Sequence, residues 1–266
     1  MTISCCTWAL AGTEADVLTA IAGAGLRHID HRPFDFRSAE SRRLISDLGL
    51  TPACMATGFG MPKGAALDAA GTQSRTAAIE HTRRALEYAH ETGIRRAYLL
   101  PGDEGGEESL KRYGDSVAGL ADTAGGYDIK LCIEHFPRKA LATVQDTLDY
   151  IAKLGHDNLY LLFDIGHAQI SKEDPAEAVA NAGDRLGYFH LDDNDGASDL
   201  HWALCDGVLT EDVLKTTLAT LDDIGYDGPV SLEMNAGLPD PLAAIEAGFR
   251  LVRSLYQSTT DPSSAR

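Results

Sequence analysis

At 266 residues the chain lies near the roughly 250 typical of an eight-fold β/α barrel and is long enough to bury a substantial core as one domain. Forty acidic against 23 basic residues give a formal charge of −17, and no basic patch offsets it, because Arg42-Arg43, Arg83-Arg84 and Arg95-Arg96 are isolated pairs; nucleic acid is therefore not expected as a partner. No apolar run approaches the roughly 18 residues of a membrane span, residues 1 to 12 lack a signal-peptide pattern, and the five cysteines show no CxxC spacing, so no membrane contact and a reducing cytoplasm are expected.

The chain alternates between short apolar runs and longer stretches of helical period, the pattern of a parallel sheet wrapped by helices, in about eight units. The first strand is expected near Ile3 to Trp8, followed by Thr13 as a helix cap and a helix to Ala22 that Gly23 and Gly25 end. Leu26 to Asp30 is the second strand, with a helix over Ala39 to Leu48. Ala53 to Ala56 is the third, followed by a Gly-rich loop and a helix over Ser74 to Glu91. Ala97 to Leu100 is the fourth, with an acidic loop, Gly102 to Glu108, ahead of the next helix.

In the second half, strands at Leu131 to Glu134, Leu159 to Asp164, Leu186 to Leu191 and Val230 to Glu233 alternate with helices. These run over Leu141 to Leu154, Pro175 to Ala182, Glu211 to Ile224 and Pro241 to Tyr256. Asp174-Pro175 and Asp240-Pro241 each place a capping carboxylate before a proline whose missing N–H costs nothing at the first helical position. Leu242, Ile245, Phe249, Val252 and Tyr256 form one apolar stripe on the last helix. No linker-like composition divides residues 1–256, read as one barrel domain, and residues 257–266 read as a disordered tail.

Glu134, Asp164, His190 and Glu233 each stand at the end of one of these apolar runs. A buried parallel strand reads as a near-continuous apolar run, so a polar side chain at its C-terminal end sits where the sheet opens to solvent. The first two intervals, about 30 and about 26 residues, each match one strand, one helix and two short connections. The longer third leaves room for an extended loop over the site. Two Glu, one Asp and one His offer hard oxygens and an imidazole, a donor set suited to Mn²⁺, Mg²⁺, Co²⁺ or Zn²⁺.

Asp164-Ile165-Gly166-His167, His190-Leu191-Asp192-Asp193-Asn194-Asp195-Gly196, Asp199-Leu200-His201 and Gly225-Tyr226-Asp227-Gly228-Pro229-Val230-Ser231-Leu232-Glu233 carry a resemblance. They resemble the sugar isomerase/epimerase family, the xylose isomerase-like TIM barrel superfamily that includes ketose 3-epimerases and endonuclease IV. The likeness is strong over residues 128–256 and compatible in layout over 1–127. It implies an α/β fold, a single-domain (β/α)8 TIM barrel, with one divalent ion, Mn²⁺ first, held by Glu134, Asp164, His190 and Glu233. It further implies that Glu134 and Glu233 are the acid/base pair and that His167 binds substrate or supports the ligands.

Asp199 and His201 match positions that ligate further metal in the endonuclease relatives. Those enzymes also draw histidines from early strands, whereas the third and fourth strands here end in Ala56-Thr57-Gly58 and Leu100-Pro101-Gly102. Asp199 and His201 are therefore read as loop residues over the mouth that contact substrate or support the groups that do, with a purely structural role as the alternative. Three departures stand out: Gly196 replaces an arginine that grips substrate oxygens, Cys205-Asp206-Gly207 replaces a Gly-x-Gly turn that is expected to be reshaped, and His135 replaces an asparagine. His135 is expected at the mouth as base, ligand or neither. Arg32 and Arg138, just past strand ends, are candidates for a substrate carboxylate or phosphate.

The resemblance implies a metal-dependent isomerase or epimerase of a sugar-like polyhydroxy carbonyl compound, working through a metal-stabilised enediolate. A lyase or dehydratase that eliminates a β-substituent from a keto-sugar or keto-cyclitol, alone or as one subunit of a complex, is the alternative. An endonuclease IV-like phosphodiesterase ranks below both. A homo-oligomer or a partner subunit is compatible with this reading, and Phe34, Phe36 and Trp202 are expected to cover a mouth, their own or a neighbour's.

Overall fold

Eight parallel strands close on themselves in sequence order, and a computed structural model describes them within residues 1–260. The strands are β1 (Thr2–Cys6), β2 (His28–His31), β3 (Thr51–Ala56), β4 (Arg96–Leu99), β5 (Lys130–Glu134), β6 (Leu159–Asp164), β7 (Leu186–Leu191) and β8 (Pro229–Leu232). Closure is made by β1 against β8, with Ile3 opposite Val230 and Cys5 opposite Leu232. The bounds expected for β6 and β7 match, because β7 is buried along its whole length and β6 at every residue but the half-buried Tyr160. The first strand is shorter than expected: it ends at Cys6, and Thr7–Ala9 form a single 3₁₀ turn that carries Trp8 over the barrel mouth.

The connecting helices are α1 (Glu14–Gly23), α2 (Ala39–Asp47), α3 (Thr72–Glu91), α4 (Glu107–Gly126), α5 (Val144–Leu154), α6 (Ile165–Ile170), α7 (Pro175–Ala182), α8 (Glu211–Asp223) and α9 (Pro241–Thr260). Their starts follow from local chemistry. Thr13 and Asp16 form a reciprocal capping box on α1, and Asp174 accepts from the N–H groups of Ala176 and Glu177 ahead of the proline that opens α7. The short helix α6 was not anticipated by the hydrophobic period. It starts because Asp164 at the end of β6 is also its cap, accepting from the His167 N–H at 2.8 Å. The last helix continues past Tyr256 to Thr260, and residues 261–266 of the expected tail lie outside the described residues.

The core is the cylinder between the sheet and the helices, filled by Leu18, Ile21, Ile29, Leu86, Ile133, Leu161, Phe163, Phe189, Leu218 and Val252 among others. A second, smaller set inside the barrel contains Cys54, Tyr98, Cys132, Leu162 and Tyr188. Four of the five cysteines are buried thiols and none is in a disulfide, as expected of cysteines that pack as small hydrophobes. No helix among the described residues is long and apolar enough to cross a membrane.

Candidate metal and catalytic centre

The C-terminal ends of β5 to β8 bring four buried side chains together. One donor atom each from Glu134, Asp164, His190 and Glu233 lies within 4.8 Å of the other three. His190 Nδ1 is the hub, 2.7 Å from Glu233 Oε2, 3.7 Å from Glu134 Oε1 and 3.8 Å from Asp164 Oδ2. Despite the short distance to Glu233, His190 Nδ1 has no aligned hydrogen bond, and Nε2 and Asp164 Oδ2 are likewise buried without a partner. Unpaired buried polar atoms are costly, so donors that converge on one point without bonding one another fit a cation that would satisfy them jointly. The donor set, three carboxylates and one imidazole, fits a divalent ion of intermediate hardness.

Two of the donors are held from behind. Asp164 divides its oxygens, Oδ1 capping α6 while Oδ2 faces the cluster. Glu233 accepts from the Trp8 indole N–H at Oε1, 2.8 Å away, and its backbone N–H donates to Leu191 O. Burial alone would lower the His190 imidazole, but the carboxylates of Glu233 and Glu134 outweigh it and hold the ring well above its ordinary value. The two glutamates diverge. Burial raises Glu134, whereas for Glu233 the opposing pull of His190, then of His201 and Trp8, overcomes burial and holds the carboxylate low.

A second layer of acid and imidazole covers the first. His167 Nδ1 lies 2.9 Å from His135 O, and its Nε2 stands 3.4 Å from Asp199 Oδ1; burial would lower this ring, yet Asp164 and Asp199 lift it to about 10. His201 bridges Asp192 (2.7 Å) and Asp199 (3.1 Å) and is raised by both against the effect of burial. Burial and the neighbouring Asp164 push the fully buried Asp192 up to about 7. The expected loop pair, Asp199 and His201, is thus brought to His167, with Asp199 at the exposed side.

The loop carrying this pair is built by one carboxylate. Asp193 accepts N–H bonds from Asn194, Gly207 and Leu209 at 2.8, 2.6 and 2.9 Å, and its backbone pairs with Trp202 in both directions. Gly207 is obligatory here, since a Cβ would lie 2.0 Å from Asn194 O. Cys205 adopts φ 68, a conformation glycine accepts freely, so the turn keeps a left-handed residue there without a glycine. Gly166 has a similar reason: a Cβ would meet Asp192 Oδ1 at 2.1 Å.

Other expected residues take different places. His135 lies not at the mouth but fully buried behind the cluster, its Nε2 3.1 Å from the backbone of Asp164; burial and His167 hold it well below its ordinary value, so it is neutral. Arg138 is exposed on the β5 loop and reaches the loop after β7, where it donates to Ala197 O at 2.8 Å. Arg32 stacks on Phe59, which packs on Trp8, so it stands outside the four donors with the two rings between. Phe36 is buried against His31 instead of covering a mouth, Phe34 packs on His81 and Tyr88, and Trp202 is tied to Asp193. The sequence reading missed Trp8 and Asp192. Their signals were a tryptophan at the end of the first apolar run, which closes the barrel beside Glu233, and an aspartate two residues beyond His190.

Residues 18–255 match the family described as xylose isomerase-like TIM barrel. The chain is 29% identical over 184 residues to an uncharacterised protein of Methanocaldococcus jannaschii, covering 65% of this chain and 61% of that one. It is 28% identical over 143 residues to the D-psicose 3-epimerase of Agrobacterium fabrum, covering 51% of this chain and 45% of that one. The chain thus spans about half to three-fifths of the length of these relatives. The fold superposes on a structure of L-ribulose 3-epimerase with a TM-score of 0.83 at 18% identity, over 97% of this chain and 96% of that one.

Proposed function

We propose that this chain, which belongs to the xylose isomerase-like TIM barrel family, is a divalent-metal-dependent epimerase or isomerase of a sugar-like polyhydroxy carbonyl compound, with epimerisation of a ketose as its main activity. The observation that carries this reading is the convergence of Glu134, Asp164, His190 and Glu233 on one buried point with His190 Nδ1 and Asp164 Oδ2 unpaired. The relatives named as ketose 3-epimerases support the substrate class. These four residues would hold the ion, with Mn²⁺ the first choice among Mn²⁺, Mg²⁺, Co²⁺ and Zn²⁺. When bound, it supplies Lewis acidity to the adjacent oxygens of a hydroxy-carbonyl group and so makes the carbon between them more acidic.

The chain's own residues then move the proton. Glu134 and Glu233 come from β5 and β8, so a substrate lying between them meets one carboxylate on each side. Their environments push their proton affinities apart, which is how two carboxyl groups acquire different roles. Glu233, held low and fixed by the Trp8 N–H, takes the proton from carbon; Glu134, raised by burial, returns one from the other face. Return to the same carbon inverts it, and return to the neighbouring carbon interconverts aldose and ketose. His167, His201 and Asp199, over the mouth, bind the hydroxyls that orient the substrate.

The test is Mn²⁺-loaded protein in D₂O with D-psicose and L-ribulose as probes. The wild type should exchange a carbon-bound hydrogen and form the epimer, while Glu134→Gln and Glu233→Gln should each lose about 10²- to 10⁴-fold. Variants that load Mn²⁺ and still exchange at close to the wild-type rate would remove the acid/base assignment.

A further inference from the structure

One buried acid plays no part in the mechanism above. Asp30, on β2, is fully buried inside the barrel beneath the four-residue cluster. Its Oδ1 accepts from Tyr188 OH at 2.6 Å and from Ser4 Oγ at 2.7 Å, and the Cys6 thiol points at Oδ2 from 3.7 Å. None of these donors is charged, and among the described residues no salt bridge to Asp30 is formed. The basic group beside it is His190: one of its ring nitrogens, an Asp30 oxygen and Cys6 Sγ all lie within 4.8 Å of one another. Burial pushes the Asp30 carboxyl up, and His190 is the strongest influence against that rise.

His190 itself needs an orienting partner. Its Nδ1 faces Glu233, Glu134 and Asp164, so a neutral ring that offers Nδ1 to a cation must carry its proton on Nε2, and Nε2 has no hydrogen-bond partner among the described residues. Metal-bound histidines are generally fixed in tautomer and orientation by a carboxylate, carbonyl or water on the other nitrogen. Tyr188 links the two groups physically, since its ring edge packs on His190 at 5.7 Å between centroids while its hydroxyl holds Asp30. Tyr98 packs on the imidazole in the same edge-on fashion at 5.3 Å, which leaves the ring little freedom to flip.

We propose that Asp30 is a positioning residue for the metal centre: its buried carboxylate, held by Tyr188, Ser4 and Cys6, keeps the His190 proton on Nε2 and so presents the Nδ1 lone pair to the ion. This rests on the reading of Glu134, Asp164, His190 and Glu233 as a cation site. The acid lies on β2, far in sequence from β7 and β8, and no ligand motif includes it.

The experiment is a Mn²⁺ titration of metal-stripped full-length protein by electron paramagnetic resonance, with ¹⁵N-histidine NMR of the Zn²⁺-loaded form. Asp30→Asn, which keeps shape, should weaken Mn²⁺ binding about 10- to 100-fold. Tyr188→Phe, which removes one donor and keeps the ring, should weaken it less. In both, the His190 nitrogen shifts should lose the Nε2–H pattern of the wild type. Mn²⁺ affinity within twofold of wild type and an unchanged His190 tautomer in folded Asp30→Asn overturn the proposal. Should that variant not fold, an unaltered affinity and tautomer in Tyr188→Phe do the same. A wild type that takes up no Mn²⁺ and no Zn²⁺ instead removes the cation site, and the role of Asp30 with it.

Discussion

Trp8 donates its indole N–H to Glu233 Oε1 across 2.8 Å, although 225 positions separate the two residues in the chain. The contact is a product of barrel closure, since β1 pairs with β8 and the 3₁₀ turn after β1 swings Trp8 over the end of β8. It also keeps one oxygen of the proposed base from drifting.

Removing that hydrogen bond while keeping an aromatic ring is therefore informative. Trp8→Phe should lower epimerisation of the best ketose about 10- to 100-fold, the value of a hydrogen bond to a charged group. Fold and metal content should be retained. Rate and Mn²⁺ stoichiometry measured on the same preparation separate loss of the base from loss of the ion.

Metal affinity should rise with pH. In the metal-free protein the carboxylates hold the His190 imidazole above its ordinary value and burial raises Glu134, so protons occupy donor atoms that the ion needs. Binding must displace them, and each proton displaced makes affinity change about tenfold per pH unit, tighter toward alkaline pH and lost toward acid. Mn²⁺ titrations between about pH 6 and about pH 8 check the sign, and an affinity that does not vary with pH would show that no proton leaves.

Gly207→Ala should cost about 1–3 kcal/mol, the usual penalty for forcing atoms into packed space. The new Cβ would lie 2.0 Å from a backbone oxygen, that of Asn194, which cannot rotate away. Urea denaturation measures the loss. Metal affinity should fall less, since Glu134, Asp164, His190 and Glu233 all lie outside the loop that Gly207 closes.

Arg138 sits at φ 67 after Pro137, in a turn closed by the Lys139 N–H donating to Phe136 O at 3.1 Å. That is a position where glycine is more comfortable than arginine. If the guanidinium grips substrate, Arg138→Gly should raise KM about tenfold with kcat near wild type and leave the denaturation midpoint unchanged or higher. A KM that does not move would assign Arg138 only to its bond with Ala197.

Much of the barrel can be read directly from the sequence because the buried parallel strands are apolar runs, and β5 to β8 each have one of the four candidate ligands at or next to their C-terminal ends. β6 and β7 fall between the expected residues, and Glu134, Asp164, His190 and Glu233 meet at one point. What escaped the sequence depends on closure or on one residue with two duties. Asp164 ends a strand, starts a helix and faces the cluster at once, so α6 carried no separate signal. Trp8 and Asp30 act on residues of β7 and β8 from the other end of the chain, a proximity that only the pairing of β1 with β8 creates. His135 looked like a group at the mouth because it follows Glu134, but alternation turned it away from the barrel axis, onto Phe163 and against the Asp164 backbone.

The Asp193 clamp has a directional consequence for traffic. With three N–H groups locked on one carboxylate and Trp202 stitched alongside, the β7 flank of the mouth is a prebuilt wall. The opposite rim is the more open side, where Phe59 and Leu100 stand 39% exposed beside a recess of about 200 Å³ that Gly58, Met61, Leu100 and Lys139 help to line, and under the proposed function a substrate would arrive there. If that side admits the substrate, substitutions at Phe59 and Leu100 would change which guests enter without touching Glu134, Asp164, His190 or Glu233.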